Sequence, residues 1–179
     1  MKLLLHICCS PCSIYPLKEL SKDADNQVKG LYFNPNIHPE EEYLRRRAAV
    51  EEYSKNNHLE VIYSKYNPDL FFKRILKNEE KPERCRICWY MRLEETARFA
   101  KANGFDTFST TLLISPYQEH LIIKDLGFDL AKKHKIAFYY RDFRIGFRDS
   151  QNEAREHRLY RQKYCGCKYS SLEKNTKFK

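Results

Sequence analysis

The stretch Leu3-Leu4-Leu5-His6-Ile7-Cys8-Cys9-Ser10-Pro11-Cys12 joins an apolar run to three cysteines within five positions. The continuous apolar run of residues 2–7 is typical of a parallel strand that is covered on both faces. Ser10-Pro11 breaks this pattern, and residues 13–21 fit a first helix. The cysteines at residues 8–12 are therefore predicted to lie in the loop between the first strand and the first helix.

Beyond this stretch, apolar segments alternate with helical patterns. The alternation implies right-handed crossovers and a Rossmann-like α/β fold with a parallel sheet of about five strands. Ligands of such sheets bind at the carboxyl ends of the strands, where the first loop carries the cysteines. Further strands are expected at residues 28–33, 59–63, 107–113 and 136–140, and further helices at residues 39–56, 69–77, 85–103, 116–134 and 150–164.

The totals favour a soluble chain of one domain. Its 179 residues are enough to bury a core without disulfides or bound metals to stabilise it. No apolar run approaches the ~18 residues that a membrane span needs, and the N-terminal run leads into Cys8-Cys9 rather than a cleavage site. The odd number of closely spaced cysteines argues against a secreted disulfide framework. We therefore expect a cytoplasmic protein with no membrane segment.

Positive charge is concentrated in residues 141–179. The net charge is +9, and this segment supplies +6 of it, with eleven Lys or Arg against five acids. A basic segment suits a polyanionic partner such as a nucleic acid, although an ordinary solvated surface has the same composition. We expect a single α/β domain over residues 1–179 that carries this basic C-terminal segment.

The seven cysteines form three tight groups, at residues 8–12, at Cys85-Arg86-Ile87-Cys88 and at Cys165-Gly166-Cys167. Cys85 and Cys88 lie three apart at a predicted helix start and project to one side. Two thiolates from residues 8–12 can complete a four-sulfur site for an iron–sulfur cluster. Structural zinc stays open, although Cys-Cys-x-Pro-Cys is not the usual zinc knuckle. A purely redox dithiol at residues 165–167 is the third interpretation.

Nucleotide cofactors are disfavoured. The chain has five glycines, with no Gly-x-Gly-x-x-Gly, no Walker loop and no glycine-rich phosphate loop after the first strand. ATP, NAD and FAD therefore have little to bind to, and electrons must come from an external donor. His6, inside the apolar run, fits a core histidine better than a ligand.

Six short motifs run in order along nearly the whole chain. They are His6-Ile7-Cys8-Cys9-Ser10-Pro11-Cys12, Tyr32-Phe33-Asn34-Pro35-Asn36-Ile37, Cys85-Arg86-Ile87-Cys88 with Arg92-Leu93, Thr110-Thr111-Leu112-Leu113-Ile114-Ser115-Pro116-Tyr117, Asp142-Phe143-Arg144 and Tyr160-Arg161-Gln162-Lys163-Tyr164-Cys165-Gly166-Cys167. Each motif alone is a weak signal. Together they resemble the QueH family of epoxyqueuosine reductases, with no clear departure from its pattern.

The resemblance implies a non-cobalamin enzyme for the last step of queuosine synthesis, which reduces the epoxide of epoxyqueuosine at the wobble position of tRNA. It also implies a sheet similar to the adenine nucleotide alpha hydrolase (HUP-like) fold, whose first loop binds ATP in relatives and carries cysteines here. The expected partners are tRNA carrying epoxyqueuosine and an external electron-donor protein. The expected cofactor is a [4Fe-4S] cluster on Cys8, Cys9, Cys85 and Cys88.

Removal of the epoxide oxygen takes two electrons and two protons and leaves an alkene, whereas a cluster supplies electrons singly. The cluster is then reduced twice per turnover, or Cys165 and Cys167 assist as a dithiol. Cys12 is left over and can hold an additional iron ion or meet the substrate. The other expected site residues are the proton donors Asp142, Tyr32 and Tyr117, the phosphate contacts Arg144 and Arg161, and the base-stacking residues Tyr160 and Tyr164.

Two other functions explain part of the same sequence. A non-catalytic, zinc-stabilised RNA-binding module accounts for the charge and most cysteines, but not for the adjacency of Cys8 and Cys9. A cluster-dependent tRNA sulfur transferase of similar fold needs ATP to activate the base, and the phosphate loop for ATP is missing.

Overall fold

Five parallel strands form one sheet at the centre of the molecule, in the order β3-β2-β1-β4-β5. The computed structural model describes residues 1–176, with side chains as far as Glu173, so Lys177, Lys179 and the side chain of Lys174 in the basic segment lie outside the described residues. The sequence-based prediction of a Rossmann-like parallel sheet of five strands is confirmed. The strands are β1 (Lys2–His6), β2 (Gln27–Tyr32), β3 (Val61–Tyr63), β4 (Thr107–Thr110) and β5 (Ala137–Phe138).

Strand β1 lies in the middle of the sheet and is buried on both faces. Leu4 contributes to one core layer, while Leu3 and Leu5 contribute to the other, as the two-residue period of a strand requires. Helices cover both faces, which explains why the three central residues of the strand are all leucine. The helices are α1 (Ser10–Leu20), α2 (Glu40–Asn56), α3 (Asp69–Ile75), α4 (Glu83–Ala102), α5 (His120–His134), α6 (Phe147–Glu156) and α7 (Lys168–Thr176).

The strand order reverses at β1, which pairs with β2 on one side and with β4 on the other. The carboxyl ends of β1 and β4 are in register, with His6 opposite Thr110. The segments that follow these two strands therefore leave the same edge of the sheet side by side. This is the position at which parallel α/β sheets bind ligands.

Two boundaries near this edge differ from the prediction. Helix α1 begins at Ser10 rather than at residue 13, since a proline at the first helical positions suits a helix start. Only Cys8 and Cys9 are thus in the loop, and Cys12 lies in the first helical turn. Strand β4 stops at Thr110 rather than at residue 113, because the Thr110 hydroxyl accepts a hydrogen bond from the amide of Leu112 and starts the 3₁₀ helix Thr111–Ile114.

The helices of the C-terminal half also differ from the prediction. Helix α5 begins at His120 and not at residue 116, since residues 115–119 form a turn. Helix α6 covers Phe147–Glu156 and not residues 150–164, and Arg158 has a φ of 55° that no α-helix permits. The irregular residues 157–167 lead into α7, which was not predicted. No helix among the described residues has the length and apolarity to cross a membrane.

Candidate metal centre

Three sulfur atoms converge where β1 ends. The Sγ atoms of Cys8, Cys9 and Cys12 all lie within 4.8 Å of one another. Cys8 lies in the loop after β1, and Cys9 is the N-cap of α1. Cys12 follows Cys9 by one helical turn on the same side, which brings the three sulfurs together. Thiolates at such spacing have the softness and the proximity that iron or zinc requires, so the triad can bind a metal ion.

The triad stabilises one negative charge at Cys8. Hydrogen bonds from the thiols of Cys12 and Cys9 hold the pKa of Cys8 well below its usual range, and the same contacts together with burial raise the pKa of the other two. Thr111 adds a third donor, because its hydroxyl lies 3.2 Å from Cys8 Sγ and also accepts the Cys8 amide at 3.0 Å. These three donors favour the thiolate form of Cys8, which is the form that binds a metal.

The second cysteine group contains Cys85, Cys88, Cys165 and Cys167. Cys85 and Cys88 lie in the first two turns of α4, as predicted, and burial raises the pKa of both thiols, with a smaller contribution from interaction with the C-terminal pair. Burial is the larger cause and raises the pKa of Cys88 to about 12. Cys88 and Cys167 lie in one buried cluster, and Cys85 packs against it, so the C-terminal pair shares this part of the core with the Cys85–Cys88 pair.

A buried arginine fixes the C-terminal pair in place. Arg46, on α2, forms an ion pair with Glu42 at 2.7 Å and donates to the carbonyl oxygens of Cys165 and Tyr164, both at 3.0 Å. Gly166 has a φ of 138°, and a Cβ atom there would lie 3.1 Å from an Arg46 nitrogen. Glycine between the two cysteines therefore allows both the backbone conformation and the close approach of Arg46.

Two glutamine side chains contact the cysteines directly, and neither was predicted. The Gln162 amide nitrogen lies 3.0 Å from Cys9 Sγ and 3.8 Å from Cys12 Sγ. Gln118 accepts a hydrogen bond from the Trp89 indole at 2.7 Å and reaches Cys165 Sγ at 3.5 Å. The only sequence signal for Gln162 is its place just before Cys165-Gly166-Cys167.

His6 is a neutral core residue. Its Nδ1 lies 2.9 Å from the Thr110 hydroxyl and its Nε2 lies 3.2 Å from the Phe33 carbonyl oxygen. Burial, with help from the positive charge of Arg92, lowers the pKa of His6 to about 4. With both nitrogens hydrogen-bonded, the ring has no lone pair left for a metal.

The three expected proton donors lie in different environments. Tyr32 is fully buried in β2, which raises the pKa of its hydroxyl, and that hydroxyl points to the Tyr43 carbonyl oxygen. Asp142 is exposed and hydrogen-bonded by Arg144, which lowers the pKa of the carboxyl to about 2. Tyr117 is 83% exposed and follows Ser115-Pro116 in the turn that also presents Gln118. The structure does not bring these three side chains together.

The four residues expected to contact RNA also lie in different environments. Arg144 and Arg161 are exposed, and Arg144 already pairs with Asp142. Tyr160 donates to Glu42 at 2.6 Å, and Tyr164 donates to the His38 carbonyl at 2.7 Å. The Tyr164 ring also lies under the Arg46 guanidinium, 5.3 Å from its centroid. Both tyrosines therefore help to anchor the C-terminal segment to α2.

The sequence of the chain matches one family along nearly its whole length. The family model described as "Epoxyqueuosine reductase QueH" matches residues 3–173. A protein of that name from Dehalococcoides mccartyi is 38% identical, over 97% of this chain and 94% of its own. A protein of the same name from Streptococcus pyogenes serotype M1 is 37% identical, over 94% of this chain and 70% of its own. Another from Thermotoga maritima is 34% identical, over 97% of this chain and 92% of its own.

A solved structure shares the fold. It is described as a predicted subunit of tRNA methyltransferase from Methanocaldococcus jannaschii, and it superimposes with a TM-score of 0.58 over 87% of this chain and 74% of that chain. The two sequences are 13% identical. The likeness therefore shows the architecture of the sheet and its helices, and nothing about activity.

Proposed function

The chain belongs to the epoxyqueuosine reductase QueH family, and from this premise we propose that it reduces the epoxide of epoxyqueuosine to queuosine in tRNA, the last step of queuosine biosynthesis. The match of the family model over residues 3–173 carries this proposal, since that range contains all seven cysteines. The chain is thus an oxidoreductase that acts in tRNA modification. The proposal places it in the cytoplasm with tRNA as its partner.

We propose that Cys8, Cys9, Cys85 and Cys88 hold a [4Fe-4S] cluster. The donor set fits, because thiolates are the usual ligands of iron–sulfur clusters and Cys8 and Cys9 belong to the triad at the end of β1. Cys9 and Cys88 belong to one buried cluster, and Cys8 and Cys85 pack against it, which supports a shared site for the two segments. Cys12, the third sulfur of the triad, is left for an additional iron ion or for the substrate.

When bound, such a cluster supplies single electrons and an iron centre that polarises oxygen. The overall reaction breaks both C–O bonds of the epoxide, takes up two electrons and two protons, and releases water and an alkene. Cys165 and Cys167 match this balance, because their oxidation to a disulfide gives up two electrons and two protons. A separate electron-donor protein then restores the dithiol.

The protein's own residues support these steps. Arg46 orients the backbone of Cys165, and Gln118 reaches its sulfur. Arg144 and Arg161 are exposed and suited to tRNA phosphates. Tyr117 offers an exposed ring and hydroxyl close to Gln118, while Tyr32, Asp142, Tyr160 and Tyr164 stay predictions for proton donation and base contact.

Nucleoside analysis of tRNA tests the function. In a strain that lacks the gene, we expect epoxyqueuosine to accumulate and queuosine to disappear, and a plasmid copy of the gene to restore queuosine. A plasmid copy that carries Cys9→Ala should not restore queuosine. Unchanged queuosine together with a missing thionucleoside would instead indicate a sulfur transferase.

Anaerobic purification tests the metal. We expect a brown protein with broad absorption near ~400 nm from thiolate-to-iron charge transfer, which zinc does not produce. A colourless protein with about one zinc ion per chain and no iron would contradict the reductase and favour the zinc-stabilised RNA-binding module.

Replacing Cys167 by alanine separates the redox pair from the cluster ligands. We expect Cys167→Ala to keep its iron and its visible absorption but to lose turnover, because a single thiol at Cys165 cannot form the intramolecular disulfide. Cys167 also interacts with Ser170, whose amide lies 3.4 Å from its Sγ, so circular dichroism serves as the folding control. Loss of iron from a folded Cys167→Ala protein would show that the ligand set is assigned wrongly.

A further inference from the structure

Arg92 is a buried cation in the middle of the cysteine-rich region. It lies one helical turn after Cys88 on α4, and its Nε donates to the Cys88 carbonyl oxygen at 3.2 Å. Only 2% of the residue is exposed. Its terminal nitrogen Nη2 has no hydrogen-bond acceptor among the described residues.

The two other buried arginines of the described residues have carboxylate partners. Arg46 pairs with Glu42, and Arg84 pairs with Glu173. For Arg92 the structure gives no such ion pair within the described part of the chain. Burying an uncompensated charge costs several kcal/mol, so a group of opposite charge is expected beside the guanidinium.

The acidic groups that interact most strongly with Arg92 are cysteines. The guanidinium is within electrostatic range of Cys88, Cys165 and Cys8, one cysteine from each of the three groups of the sequence. A cluster held by four thiolates carries net negative charge in both of its oxidation states, and this charge grows by one on reduction. The free Nη2 of Arg92 is therefore suited to a sulfur atom of such a centre.

We propose that Arg92 is a positioning residue for electron transfer, whose buried positive charge compensates the thiolate-bound cluster and raises its reduction potential. This inference rests on the proposed function. The physical reason is that a fixed cation in a medium of low dielectric constant stabilises the more negative, reduced state more than the oxidised state. Arg92 then decides how easily the cluster accepts an electron.

The first test measures the midpoint potential of the purified, iron-loaded protein. Arg92→Met should shift the potential to more negative values by at least the ~59 mV that corresponds to a tenfold weaker one-electron reduction, with iron content unchanged. Arg92→Lys, which keeps the charge, should shift it less. Arg98→Met is the matched control, because Arg98 is exposed on the same helix and pairs with Glu95, and it should leave the potential unchanged.

The second test uses the iron-free protein, so it can be carried out even if Arg92→Met does not retain its iron. Replacing an uncompensated buried charge by a side chain of similar volume is neutral or stabilising. Iron-free Arg92→Met should therefore fold, with a midpoint of urea unfolding at least equal to that of the iron-free native protein. A purely structural role predicts a lower midpoint or no folding, and either result overturns the proposal.

The results also distinguish a wrong role for Arg92 from a wrong assignment of the reductase function. If the native protein holds iron and restores queuosine while iron-loaded Arg92→Met keeps the native potential, the role of Arg92 is wrong and the reductase stands. If the native protein contains no iron, the proposed function fails and the role of Arg92 fails with it.

Discussion

Replacing Cys9 by alanine will abolish both iron binding and turnover. The iron content should fall from about four per chain, as a [4Fe-4S] cluster contains, to none, and queuosine formation should fall below detection. The reason is that Cys9 Sγ is part of the converging triad and is one of the four proposed ligands. Iron analysis, visible absorption and nucleoside analysis measure these losses, and Cys85→Ala should behave in the same way.

The fold should survive the Cys9→Ala change. Cys9 caps α1 without a side-chain hydrogen bond to the helix, and loss of one small buried side chain costs about 1 kcal/mol. Far-ultraviolet circular dichroism should therefore match the native protein. Cys167→Ala is the matched control, since it removes the same atoms outside the ligand set. If Cys9→Ala keeps its iron and Cys12→Ala loses it, Cys12 is the ligand in its place.

The second large effect concerns stability. Arg46→Met should lower the free energy of unfolding by about 3 kcal/mol or more, because removal of one partner strands the other charge of a buried ion pair. Among the described residues, the Tyr160 hydroxyl would be the remaining side-chain donor to Glu42, and the backbone of residues 164–165 would lose two donors. Urea unfolding measures the loss, and faster alkylation of Cys165 and Cys167 should accompany it.

The adjacent residue supplies the control. Arg47 forms an ion pair with Glu51 at the same four-residue spacing and the same 2.7 Å, but these side chains are 40% and 45% exposed. Exposed pairs contribute at most about 1 kcal/mol, so Arg47→Met should change stability little and leave the alkylation rates unchanged. Equal losses in the two variants would mean that the Arg46 network does not hold the C-terminal segment.

Strands and helices were predictable where the residue pattern of a segment matches its position in the fold. The unbroken apolar run of β1 predicts a central strand, and that strand is central. Helix α4 ends at Ala102 beside Gly104, whose φ of 71° suits the glycine at a predicted helix end. The end of α6 could not be predicted, because residues 157–164 contain no glycine or proline, and contacts to α2 replace helical hydrogen bonds there.

The candidate site was predictable as a set of residue types, but not as a geometry. Clustering of cysteines indicates thiolate chemistry, yet nothing in the sequence orders the three groups in space. The contacts of Gln162 with Cys9 and Cys12 join segments far apart in the chain, which periodicity and spacing do not reveal. The hydroxyls of Tyr160 and Tyr164, whose rings are predicted to stack on bases, bind protein groups. The sequence does not reveal these bonds, because a local motif does not show which side chains tertiary contacts will use.

The contact between Gln162 and Cys9 also bears on how the protein is made. The two residues are 153 positions apart, so at about 5–20 residues per second the ribosome adds Gln162 roughly 8–30 s after Cys9. Throughout that interval the first three thiols lack the side chain that later lies against them, and the other cysteines arrive at widely spaced times. The four proposed cluster ligands are all made once Cys88 is added, whereas the contact of Gln162 with Cys9 forms much later. Until then, a nascent chain depends on the reducing capacity of the cell to keep its earliest thiols intact.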